Sequence, residues 1–137
     1  MILRSNGNPA RAESVRRRGP LLAAASICLI MSSSHAAGQA PYDPQLMRLA
    51  EILGSVHFLR TLCGEKDGPW RAQMEALLEA EAPSEERRAR LIANFNHGYR
   101  SFAAVYSSCT AHALTAIDRY MKEGETLSRE IVRRYGD

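Results

Sequence analysis

The sequence predicts an all-α fold: a compact four-helix bundle-like domain, following a cleaved N-terminal signal peptide and stapled by one disulfide. Three observations lead there. Between Leu91 and Cys109, the side chains of Ile92, Phe95, Tyr99, Phe102, Tyr106 and Cys109 recur at steps of three and four. That spacing lays a seam along one helix face. A second seam, Leu46, Leu49, Leu53 and Val56, runs on to Cys63. No alternating strand pattern, internal repeat or low-complexity stretch interrupts them.

The leader comes first. Arg16, Arg17 and Arg18 precede an apolar run from Leu21 to Met31, and Ser34-His35-Ala36 supplies the small residues a signal peptidase reads. This is the three-part pattern of a secretory signal peptide over 1–36. The run is too short for the roughly 20 residues of a spanning helix, so no stable membrane span is expected after processing. Ile27 before Cys28 argues against lipid attachment there. The expected location is the periplasm.

Removing the leader changes the charge. Of 18 Lys and Arg, five (Arg4, Arg11, Arg16, Arg17, Arg18) precede Ala37; of 15 Asp and Glu, only Glu13 does. The remainder carries 13 positive and 14 negative charges, a net −1, so the pI near 9.0 belongs largely to the leader. Nucleic-acid binding needs a basic surface that survives processing, and that class is excluded. Two cysteines remain, Cys63 and Cys109. In an oxidising compartment an even count reads first as a disulfide.

Residues 37–42 read as a flexible lead and 43–137 as one helical domain. Asp43 as N-cap with Pro44 behind it starts a first helix over 44–63, with Gly64 as its stop. Pro69 opens a second over 69–80, striped by Trp70, Met74, Leu77 and Leu78. Ser84 caps a third over 85–109, with Glu85 and Glu86 in its first turn. Thr110 caps a fourth over 111–134, where Ala113, Ile117, Tyr120, Gly124, Leu127 and Ile131 share a stripe. Asp118–Lys122, Arg119–Glu123 and Glu125–Arg129 are four-apart charge pairs on a solvated face. With short connections, the first and third helices run parallel and the other two opposite. Cys63 and Cys109 then meet at one end, closing a loop worth roughly 3–4 kcal/mol.

Candidate chemistry is sparse. Cys109, His112 and Cys63 form a possible metal set, but structural zinc takes four ligands and no fourth is evident. Covalent haem needs Cys-x-x-Cys-His, absent here. No cofactor is expected. The aromatics Phe95, Tyr99, Phe102, Tyr106 and Tyr120 either pack as core or line a pocket for an apolar ligand. His57 and His97 lie about 9 Å apart along the bundle axis, poor co-ligands. Asn94, Asn96, His97 and Arg100 make a polar patch on the third helix; Asn94, His97 and Arg100 are the candidate partner contacts. Glu75, Glu79, Glu81, Glu85 and Glu86 gather about a proline-containing connection, where solvation is the simplest role. No serine has a matching His and Asp, and no glycine-rich phosphate loop occurs.

Tyr42 to Gly64 (YDPQLMRLAEILGSVHFLRTLCG), Arg87 to Tyr99 (RRARLIANFNHGY), Cys109-Thr110 and Arg134-Tyr135-Gly136 resemble a group of short, exported, uncharacterised alphaproteobacterial proteins classed as a domain of unknown function. The resemblance spans nearly all of the mature region. It implies an envelope location and a paired-cysteine helical domain, with Cys63 and Cys109 in the paired positions, and it supplies no activity.

These observations point to a non-catalytic periplasmic interaction or structural module whose partner is another envelope protein. No catalytic set commits it to an enzyme. The alternative is a small-molecule or metal-binding protein using the Cys63/Cys109/His112 end or the aromatic seam.

Overall fold

The computed structural model describes Leu3 and residues 39–136, which fall within one compact unit. The signal-peptide reading over 1–36, with Arg16–18 and Cys28, lies outside the described residues, Leu3 excepted. Four helices follow one another: α1 (Asp43–Leu62), α2 (Trp70–Glu81), α3 (Glu85–Ala103) and α4 (Ala111–Tyr135). Among the described residues there is no strand, and Cys63 and Cys109 are joined by a disulfide. The fold class read from the two seams is the observed one.

Local signals set most boundaries. The Ser84 hydroxyl accepts from the Arg87 N–H at 3.3 Å and the Thr110 hydroxyl from the Ala113 N–H at 3.1 Å, capping α3 and α4. Ala82, at φ 38°, ends α2 in the left-handed region ahead of Pro83. Two expectations are corrected. Tyr42, not Asp43, is the α1 N-cap, and Asp43 makes no capping bond. It is buried and accepts instead from Arg87 Nε at 2.7 Å. The third helix ends at Ala103 instead of running to Cys109. The N–H groups of Val105 and Tyr106 both turn back to the Phe102 carbonyl, and the chain then passes Ser107 and Ser108 to the Thr110 cap. Tyr106 and Cys109 therefore belong to the α3–α4 connection.

α1 lies at the centre. It packs against α2, α3 and α4, while α4 approaches neither α2 nor α3 at the backbone. Leu46, Ala50, Ile52, Leu53, Val56 and Leu59 are buried on more than one face of α1, as expected of a helix enclosed on several sides. α3 runs parallel to α1: Asp43 meets Arg87 at one end and Cys63 meets Cys109 at the other. α4 runs opposite, with Leu59 packed against Ala113 and Ile117 while Tyr42 rests on Tyr135.

The α1–α3 crossing is made by two glycines. A methyl group added at Gly54 would collide with the Phe95 carbonyl, and one at Gly98 with the Glu51 carbonyl. Each helix therefore lays its glycine on the other's backbone. Gly124, the glycine on the α4 stripe, differs: an added methyl would meet only side chains, Ile52 Cγ2 at 3.3 Å and Leu49 Cδ1 at 3.8 Å.

The three sites separate by experiment. Gly98→Ala or Gly54→Ala forces two backbones apart and should destabilise by about 2–3 kcal/mol, the upper range for overpacking. Gly124→Ala gains up to about 1 kcal/mol of helix propensity and asks only Ile52 to adjust, so it should be neutral to mildly stabilising. Urea unfolding followed by circular dichroism measures all three.

Candidate functional site

The polar residues of α3 spread over a wide arc of the helix. A helix turns about 100° per residue, so Asn94 and Asn96 point roughly 160° apart. Asn94 Nδ2 donates to the Arg90 carbonyl at 2.8 Å and reaches Met47 Sδ at 3.5 Å. It lines an open cleft of about 520 Å³ with Pro41, Asp43, Met47 and Arg90. Arg100 lies nearer Asn96 around the helix, its Nε donating to the Asn96 carbonyl at 3.1 Å. His97 is exposed. Asn94, His97 and Arg100, three residues apart in turn, follow at steps of about 60° around the helix, an arc with Asn94 at one edge and Arg100 at the other.

Asn96 makes a contact with a residue far away in the sequence. It is 8 % exposed. Its Oδ1 accepts from the Leu3 N–H at 3.2 Å, and its Nδ2 donates to the Leu3 carbonyl at 3.0 Å. One side-chain amide thus pairs with both backbone groups of one residue 93 positions away. The half-buried Leu3 packs against the core cluster that includes Leu91, Ile92 and Phe95. The sequence placed Asn96 in a polar patch, but no periodicity singled it out from Asn94.

At the other end, the Cys63 and Cys109 Cα atoms are 4.8 Å apart across the disulfide. Both sulfurs are bonded to each other, so neither is a thiolate ligand for a metal, and the set with His112 is undone. His112 instead lines a shallow cleft of about 230 Å³ with Phe102, Tyr106, Thr115, Ala116 and Arg119. The aromatic seam divides likewise. Phe95 is fully buried, whereas Phe102 stacks on Tyr106 and meets Tyr120 edge-on.

His57 sits against the Phe95 and Tyr99 rings, with centroids 6.0 and 5.7 Å away. Burial lowers its pKa from the usual 6.5, and the charge of Arg71 acts in the same direction. Among the described residues, no group of three or more His, Cys, Asp or Glu is arranged to hold a metal ion, and no helix is long and apolar enough to cross a membrane.

A protein-family profile described as a protein of unknown function (DUF2385) matches residues 41–135. No curated protein and no solved structure matches the chain.

Two outcomes are expected here. Cys63→Ala with Cys109→Ala opens a loop of 46 residues' separation and should cost roughly 4 kcal/mol on the chain-entropy model, read by urea unfolding without reductant. Burial makes His57 harder to protonate in the fold than in the unfolded chain, which takes up its proton near 6.5. Its contribution is therefore complete above that pH and is lost as pH falls below it. Stability measured from pH 7.5 to 5 should decline less in His57→Gln than in the natural chain.

Proposed function

The chain belongs to the DUF2385 family, whose function is unknown, and from its geometry we propose that it is a non-catalytic interaction module of the periplasm and cell envelope. The observation that carries this reading is the Asn96–Leu3 pair. A buried carboxamide, set on a rigid helix, holds the N–H and C=O of a sequence-distant segment while an apolar floor takes its side chain. Recognition of main chain by paired donor and acceptor is how proteins bind proteins in extended form. Exposed His97 and Arg100 lie beside it, a polar rim of the kind that borders interface cores. The envelope location is supported by the leader pattern and by the pairing of two cysteines, which favours an oxidising compartment.

A second reading, binding of a small aromatic or apolar molecule, is favoured by one observation. The cleft beside the disulfide is walled by stacked Phe102 and Tyr106, with His112 and Arg119 as polar groups. Its modest size, about 230 Å³, lies below the usual range of ligand pockets, which ranks it second.

The test is site-specific photo-crosslinking of the full chain expressed in cells. A photoreactive residue at His97 should capture an envelope protein, and one at exposed Lys122 on α4 should not. Mass spectrometry of the periplasmic fraction should find a disulfide-bonded chain starting near Ala37. Recovery only from the cytoplasm, or equal crosslinking at both positions, would refute the proposal.

A further inference from the structure

The Asn96 carboxamide offers one donor and one acceptor edge, the complementarity a peptide unit presents in a strand ladder. Both edges are engaged by Leu3, and the leucine side chain packs against the buried cluster of α1, α2 and α3 residues that includes Phe95. Nothing in this contact depends on the segment being covalently part of the chain. It needs an extended residue with a free N–H, a free C=O and a side chain of leucine's size. Among the described residues, two neutral hydrogen bonds and one half-buried leucine make the contact, each modest in net strength, so the seat is exchangeable. If the chain is processed near Ala37, Leu3 departs with the leader, leaving a carboxamide and an apolar floor open together.

We infer that the Asn96 seat binds an extended, leucine-bearing peptide segment of a partner protein, and that the chain's own Leu3 segment competes for it. This deepens the interaction-module reading and rests on it. The partner is recognised through its main chain, so its sequence is constrained mainly at the one apolar side chain. While Leu3 is seated, the site is closed to partners.

The experiment uses the full ¹⁵N-labelled chain and an acetylated, amidated peptide of residues 1–5 (Met-Ile-Leu-Arg-Ser). In the Leu3→Asp variant, where the tethered competitor has lost its apolar anchor, the peptide should shift the Asn96 side-chain amide resonances saturably. The natural chain should need about tenfold more peptide, because a tethered segment competes at roughly millimolar effective concentration. A peptide N-methylated at its leucine lacks the N–H that Asn96 Oδ1 accepts, and should bind about tenfold more weakly, the loss of one well-placed hydrogen bond. That comparison leaves the protein untouched, so it stands even where Asn96→Leu perturbs folding. Unmoved Asn96 resonances, or equal binding of the N-methylated peptide, would overturn the inference. So would a dimer of the natural chain that Asn96→Leu dissociates, since a second copy's segment would then be the occupant. Peptide failure alongside specific crosslinking at His97 would remove the main-chain seat and keep the interaction module; failure of both would remove both.

Discussion

The backbone-to-backbone contact of α1 and α3 at Gly54 and Gly98 is the constraint from which the other packing follows. Helices usually keep axes 8–10 Å apart because side chains stand between them. Here neither crossing position has a side chain, and each glycine meets the opposing carbonyl directly. Ser55 completes the junction by donating to the Glu51 carbonyl at 2.8 Å, turning its own polar group inward onto the helix. With α3 drawn so close, the rest of the α1 surface is left to α2 and α4. α1 thus becomes the helix that everything else touches. α4 meets α3 only through side chains such as Phe102 and Tyr120.

Two further ties hold the crossing at its ends, by different chemistry. At the helix starts, Arg87 lies between Asp43 and Glu81, with side chains 13 %, 3 % and 19 % exposed. One guanidinium thereby joins the beginnings of α1 and α3 to the end of α2. Hydrogen bonding to Asp43, then to Glu81, raises the Arg87 pKa against the opposing effect of burial. Such a group is worth more as a fixed arrangement than as net stability, since desolvation offsets much of the attraction. At the helix ends, the disulfide makes the tie covalent. α4 is fastened separately: Arg48 Nε and Nη2 reach the two Glu123 oxygens at 2.6 and 3.0 Å, and this pairing holds Glu123 below the usual carboxylate range. Glu123 is therefore engaged across helices, although four-residue spacing alone matched it with Arg119.

Hydrophobic spacing, caps and cysteine count made much of this legible in advance. The seams named the buried faces, Ser84 and Thr110 marked two helix starts, and parallel α1 and α3 put Cys63 beside Cys109. What escaped has physical causes. Glycine adds nothing to a hydrophobic stripe, so Gly54 and Gly98 were silent although they let α1 and α3 meet backbone to backbone. Asp43-Pro44 fits a capping pattern, and only a distant Arg87 diverts the carboxylate. Tyr106 and Cys109 match helical spacing, yet the disulfide and the Thr110 cap require the chain to have turned. Asn96 was hidden for a related reason: its partner is a main-chain pair, and main-chain pairs leave no residue-type signature.

The glycine crossing also bears on the Asn96–Leu3 contact. Asn96 lies two residues before Gly98 and one after Phe95, whose carbonyl is the surface against which Gly54 rests. Its backbone thus adjoins the close glycine crossing, while its side chain points to a segment that α1 does not supply. A carboxamide held in this way gives up little freedom when it engages an extended chain, and ordering cost is a large part of what weak peptide contacts must overcome. The close approach of two helices therefore does more than build a core: it places a polar pair, already oriented, at the edge of an apolar floor.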